Sequence, residues 1–274
     1  MYRVVKVLNN NVCMAHDKNG VECILVGKGI GFGKRQGDLI KEESVEKVFY
    51  VKDTENKIKF SDLMEKVRTD VVGISEEIIA MAEKIKGKKL NEHVHIALAD
   101  HLAFAIERIS MGIDIKNPFI AEIKALYKED FAIAEKALEM VKERLGIYLP
   151  EDEVGFIALH LHAAVENAGL SVTLKNTRLV SLLVSIIEKN LSRKIDRDSL
   201  DYLRLVTHLR FAVDRVAKGI EVANELLPTI KRKFKKAYRI AEEVANEIEK
   251  ELGKKVPEEE KGYLAIHIQR LLPN

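Results

Sequence analysis

One helical segment of this chain is written twice, without a gap. His101-Leu102-Ala103-Phe104-Ala105-Ile106-Glu107-Arg108 recurs 107 residues later as His208-Leu209-Arg210-Phe211-Ala212-Val213-Asp214-Arg215. The same offset relates Gly112 to Gly219, Leu145-Gly146 to Leu252-Gly253, Pro150 to Pro257, Gly155 to Gly262 and Ala158-Leu159-His160 to Ala265-Ile266-His267. A fixed period of this kind marks a duplicated structural unit, and it singles out the residues that both copies retain. Four of the eight histidines pass that filter, in two pairs whose members are 59 residues apart. His16, His93, His95 and His162 have no histidine at the equivalent position or lie outside the repeat, and read as ordinary polar residues.

Length then sets the domain count. At 274 residues the chain exceeds one typical core and fits two or three domains. With 47% apolar and 32% charged residues it can bury cores and is not a disordered chain. A net charge of +2 argues against bulk attraction to nucleic acid or membrane and leaves room for a local basic patch. Cys13 and Cys23, in a chain with no signal-like apolar N-terminus, point to a reducing compartment rather than a disulfide framework. No stretch approaches the roughly 18 uninterrupted apolar residues of a membrane span, so no membrane insertion is expected and the location should be cytoplasmic.

Residues 1 to 55 read as strands: Tyr2 to Leu8, Val12 to His16, Val21 to Val26 and Val45 to Val51 are rich in β-branched and apolar residues. Asn19-Gly20 supplies the positive-φ chemistry of a hairpin between two of them. So small a unit buries little surface alone, and dimerisation is the expected remedy. From about Phe60 the period becomes helical, as in Ile96, Leu98, Leu102, Ala105, Ile106 and Ile109.

Within each repeat the first histidine shares a helix face with Phe three residues on and Arg seven on. The second lies in a helix opened by Pro150-Glu151-Asp152-Glu153 or Pro257-Glu258-Glu259-Glu260, where proline and acids suit a helix start. Neutral imidazole is a nucleophile near physiological pH and can take a phosphoryl group. The plain alternative is four satisfied core histidines. A metal site using His with Asp100 or Glu153 is a rival, although Asp100 becomes Thr207 in the second copy and no His-Glu-x-x-His occurs.

Gly27-Lys28-Gly29-Ile30-Gly31-Phe32-Gly33-Lys34-Arg35 combines backbone freedom, an aromatic ring and cations. It is not a P-loop, since Lys28 stands at the first glycine and Arg35 at the Ser/Thr. A strand-end loop of this kind can meet phosphates while Phe32 stacks on an unpaired base, or it can be a glycine-rich hairpin with a core Phe and solvated lysines. Asn9-Asn10-Asn11 adds amide donors and acceptors.

In this order, the triple-Asn turn, the glycine loop and the doubled histidine unit resemble, over essentially the whole chain, the BglG/SacY/LicT transcriptional antiterminators, and above all their glucose-operon type. The resemblance implies a multidomain chain: a small antiparallel all-β co-antiterminator RNA-binding domain (1–56) that forms dimers, a linker (57–66), and two all-α helical-bundle phosphotransferase-system (PTS) regulation domains (67–170 and 171–274). It carries RNA binding onto Lys6, Asn11, Gly27, Lys28 and Phe32. Lys28 stands where several relatives have Arg, a change that removes a planar bidentate donor. Phosphorylation maps to His101, His160, His208 and His267.

The implied partners are a leader mRNA hairpin, the phosphocarrier protein HPr, the EIIB domain of a sugar permease of glucose type and a second copy of the chain, with no cofactor and no enzymatic activity. The implied mechanism has the permease domain inactivate the first regulation domain when sugar is absent, while HPr acts mainly on the second. A DNA-binding activator with the same regulation domains is the alternative, disfavoured because those relatives begin with a helix-turn-helix.

Overall fold

The computed structural model describes residues 1–166 and 169–272, and within them the chain forms two compact units. The first comprises Met1–Asn117 and Glu129–Leu170, the second Pro118–Lys128 and Ser171–Asn274.

The N-terminal sheet is fully antiparallel: β1 (Tyr2–Asn9), β2 (Val12–His16), β3 (Glu22–Val26), β4 (Leu39–Ile40) and β5 (Lys47–Phe49), in the order β4-β1-β2-β3-β5. The hairpin between β2 and β3 closes through Asp17, whose carboxylate accepts from the amides of Asn19 and Val21, with Gly20 at φ +78°. Two register shifts interrupt the β1–β2 ladder, between Val4 and Lys6 and between Val7 and Asn9. Such bulges bend a strand and increase its twist. Val4, Cys13, Ala15, Cys23, Leu25, Ile30 and Ile40 form the sheet's own core. Both thiols are free and buried, and burial pushes them up to about 11 and 12, so they pack as small apolar groups.

The expected strand at Val45–Val51 shrinks to Lys47–Phe49, and the two-residue β4 escapes a period-2 reading because it is too short to show one. Helix also begins earlier than the pattern suggests. Asp53 accepts from the amide of Asn56 and starts α1 (Thr54–Lys66), so the whole of the segment 57–66 expected to link the domains is helical, with Phe60, Leu63 and Met64 buried.

The first unit continues with α2 (Thr69–Lys86), α3 (Val94–Ser110), α5 (Lys128–Leu145) and α6 (Asp152–Glu166), while α4 (Ile120–Leu126) belongs with the second. Here α2 packs on both the sheet and α3, so the β domain is covered by a helix of its own chain. Val72, Ile74, Ile78, Ile79, Leu98, Leu102 and Ile157 are all fully inaccessible.

The second unit holds α7 (Leu170–Leu191), α8 (Leu200–Lys218), α9 (Leu227–Lys233), α10 (Lys235–Leu252) and α11 (Glu258–Gln269) around Leu183, Val184, Val206, Leu209 and Ala241. The repeated glycines Gly112 and Gly219 both follow their helices at left-handed φ, +73° and +67°, which explains why both copies hold glycine there. Among the described residues, α7 is the one helix long and apolar enough to cross a membrane by length and composition. Its Leu179, Val180, Leu183, Val184 and Ile187 are nevertheless buried in the unit's core.

Candidate RNA-contacting loop and histidine pairs

The asparagine turn and the glycine loop are one hydrogen-bonded object. Asn11 accepts from the amide of Gly29 through its side-chain oxygen (2.8 Å) and from Gly27 through its carbonyl (2.9 Å), while Gly31 donates to Asn10. Ile30 turns into the sheet core. Phe32, two residues on, is 76% exposed, so the reading with a core Phe does not hold. Its ring is therefore open to solvent on a loop whose backbone is hydrogen-bonded to the asparagine turn.

Asn11, Gly27 and Lys28 line one cleft of about 910 Å³, together with Glu77, Lys84 and Arg144 from the helices. Lys6 lies elsewhere, in a groove of about 370 Å³ beside Met14 and Phe49. Three of the five expected contact residues thus line one cleft, Lys6 lines another, and Phe32 is exposed on the same glycine loop as Gly27 and Lys28.

The four repeated histidines do meet in pairs. His101 on α3 faces His160 on α6 with ring centroids 4.8 Å apart and tilted by 40°. His208 on α8 stacks on His267 of α11 at 3.5 Å and 16°. Each pair sits beside a buried carboxylate, an acid that the sequence pattern offers as part of a helix opening in both copies and, in the first, as a metal ligand. In the first, Glu153 (1% exposed) engages His101 Nε2 at 2.9 Å and accepts from Arg108 Nη2 at 2.5 Å. In the second, Glu260 accepts from Arg215 Nε (2.8 Å) and Nη2 (2.5 Å), a bidentate pair. Glu153 and Glu260 obey the 107-residue offset, so the repeat carried this signal. Arg108 stacks over Phe104 at 5.1 Å, with its Nε buried and unpartnered.

Electrostatics keep the second histidine of each pair uncharged. Burial, with His101 and His93 nearby, drives His160 down to about 3. Burial, with His208 and Arg270, drives His267 down to about 4. His208 is lowered too, by burial and Arg215. Neutral imidazole with a free lone pair is the nucleophilic form. The second pair opens into a cavity of about 230 Å³ lined by His208, Arg215, Glu260, Tyr263 and His267. Among the described residues, no three His, Cys, Asp or Glu side chains are grouped to hold a metal ion.

His95 and His162 are not the ordinary polar residues their absence from the repeat suggested. His95 is buried against Glu76 (2.8 Å), and His162 pairs with Asp130 (3.0 Å). The repeat does not mark them because Tyr202 and Gln269 stand at the equivalent positions of the second copy.

Comparison with known proteins agrees with this anatomy. The CAT RNA binding domain matches residues 2–58, and the PRD domain matches twice, at 76–164 and 182–271. Transcription antiterminator LicT of Bacillus subtilis is 38% identical over 98% of this chain and 99% of its own, and the PtsGHI operon antiterminator of the same organism is 40% identical over 98% and 97%. The Beta-glucoside operon antiterminator of Dickeya chrysanthemi is 36% identical over 98% and 96%. The crystal structure of GlcT CAT-PRDI aligns with a TM-score of 0.50 at 46% identity, covering 60% of this chain and 97% of that one.

Proposed function

The chain belongs to the transcription antiterminators that join a CAT RNA binding domain to two PRD domains, a regulatory family and not an enzyme family, and from that premise we propose which of its residues read RNA and which receive phosphate. The RNA-contacting surface consists of Lys6, Asn11, Gly27, Lys28 and Phe32, on a domain of residues 1–56. A second copy of the chain completes it, since Lys6 and the Asn11–Lys28 cleft are separate in one copy. The target is a hairpin in a leader mRNA, whose capture keeps an overlapping terminator hairpin from forming. The protein works in the cytoplasm, where nascent transcripts are.

The observation that carries this reading is Phe32, 76% exposed on a loop whose backbone is otherwise hydrogen-bonded and flanked by cations. Stacking of one base on an aromatic ring is worth about 1–3 kcal/mol, so Phe32→Ala should weaken binding roughly 5- to 150-fold. The RNA for the test is a hairpin selected by the wild-type chain from a randomised pool. Because Phe32 makes so little internal contact, the thermal unfolding of Phe32→Ala should match that of the wild type. Equal affinities for the two chains would remove the assignment.

The phosphorylation sites are His101 and His160 in a first regulation domain of residues 67–170, and His208 and His267 in a second of 171–274, with 57–66 joining the first to the RNA-binding domain. The phosphoryl group passes to an imidazole nitrogen as its bond to the donor breaks, a step the neutral state of His160 and His267 favours. Arg108 and Arg215 then stand beside the added charge, and the unpartnered Nε of Arg108 is a donor for a phosphoryl oxygen. The EIIB domain of a glucose-type permease modifies the first pair and HPr the second. Incubating the chain with each phosphorylated donor should deposit an acid-labile label. His101→Ala with His160→Ala should remove the EIIB-dependent label, and His208→Ala with His267→Ala the HPr-dependent one. A label that survives the four substitutions would refute the assignment.

A further inference from the structure

Of Asn11's side chain, the oxygen is already used by the loop, where it accepts from Gly29. The two amide hydrogens are what it has left to offer a ligand, and a carboxylate from α2 accepts from this amide nitrogen. Glu77 Oε2 accepts from Asn11 Nδ2 at 3.0 Å, and Glu77 Oε1 accepts from Asn9 Nδ2 at 2.8 Å. Arg144 of α5 lies 3.4 Å from the same carboxylate, which is only 8% exposed. Two planar acceptor oxygens gathered by amides and a guanidinium are the arrangement that a phosphate of RNA would make with these groups.

The contact is built for closeness. At Gly73, one turn before Glu77, an added Cβ would stand 2.6 Å from Nδ2 and 2.8 Å from Cγ of Asn9, so it would displace either α2 or the Asn9 amide that Glu77 holds. Two further polar contacts tie the β domain to the first helical module: Lys47 pairs with Glu83 at 2.5 Å, and the amides of Lys52 and Asp53 donate to Glu92.

We propose that Glu77 is an internal competitor of RNA, a carboxylate that occupies the asparagine turn in place of a phosphate group, so that RNA binds only when α2 leaves the turn. The inference rests on the reading that Asn11 and Phe32 face RNA. RNA cannot take the N–H of Asn11 that Glu77 holds, and a phosphate brought to the turn would face the carboxylate's negative charge. The apparent RNA affinity of the chain is therefore reduced by the fraction of molecules in the closed arrangement.

The test compares four full-length chains, wild type, Glu77→Ala, Gly73→Ala and Phe32→Ala, for binding to the selected hairpin RNA. Glu77→Ala removes the competing charge. Gly73→Ala leaves a helix that alanine favours but displaces either α2 or the Asn9 amide. Both should bind RNA more tightly than wild type, on the order of tenfold if the closed arrangement holds about nine-tenths of the molecules. Phe32→Ala should bind more weakly, which checks the RNA surface independently of Glu77. If Phe32→Ala loses affinity while Glu77→Ala is unchanged or weaker, the competition is refuted and the RNA surface stands. If Glu77→Ala does not fold, Gly73→Ala decides by the same criterion. If Phe32→Ala binds as wild type does, the surface itself is wrong, whatever the α2 variants do.

Discussion

Arg108→Ala is expected to destabilise the first unit by about 3–5 kcal/mol, the cost of breaking a buried ion pair from one side. The side chain is 8% exposed and its partner Glu153 1%, so solvent replaces little of what is lost. After truncation, Glu153 keeps only the contact from His101, and Phe104 loses the guanidinium stacked on it. The measurement is urea unfolding of the full chain followed by probes in each unit, since two compact units need not unfold together. The double change Arg108→Met with Glu153→Leu removes both charges at similar volume and should recover most of the loss. A loss below about 1 kcal/mol for the single variant, the range of exposed pairs, would refute the expected cost of breaking this pair.

Glu76→Ala should cost a similar amount, about 3–5 kcal/mol, but only in part of the pH range. Glu76 is completely buried and engages His95 Nδ1 through both oxygens, at 2.8 and 3.0 Å. Burial opposes a charge on His95. Glu76 overrides it by charge and hydrogen bonding, with Glu83 and Glu92 adding to the effect, and the net shift is upward. A histidine raised in the folded state gives stability that is complete below its unfolded value near 6.5. That stability is lost as pH rises through the folded value. The gap between Glu76→Ala and wild type should therefore be widest below about pH 6.5 and narrow in alkali, read from urea midpoints across the range. A gap that does not change with pH would show that the pair is neutral. His95 also meets Phe49 of β5 edge-on at 4.8 Å, so the same variant should loosen the seat of the sheet.

The duplicated unit, the strands and the pairing of His101 with His160 and of His208 with His267 were legible because periodicity and a fixed offset encode them locally. Glu153 and Glu260 lie on the same offset and went unremarked as a pair, since helix-opening acids have an ordinary explanation in the helix dipole. The exposure of Phe32 was not decided by the loop's composition, which suited an open ring and a core Phe equally well. Glu77 was out of reach of any pattern. Its partners Asn9 and Asn11 lie 68 and 66 residues away, and nothing in a helical period marks which acid will land on a distant turn. The pairs His95–Glu76 and His162–Asp130 were hidden for the same reason.

The helix α4 has its sequence inside the first repeat and its packing in the second unit. There Glu122, 4% exposed, accepts from the hydroxyl of the fully buried Tyr202, and Tyr127 shares a hydrogen bond with Thr177. Its counterpart in the second repeat, α9, packs instead on α10 and α11 of its own module. Anyone dissecting the chain for expression would cut between residues 170 and 171, where the sequence repeat ends. That scissor line gives a left-hand piece carrying Ala121, Ala125 and Leu126 with nothing to cover them, and a right-hand piece with an uncapped Tyr202. A right-hand fragment supplied with a peptide of residues 118–128 should melt higher than the fragment alone, and the duplication in the gene would then be out of step with the units that fold.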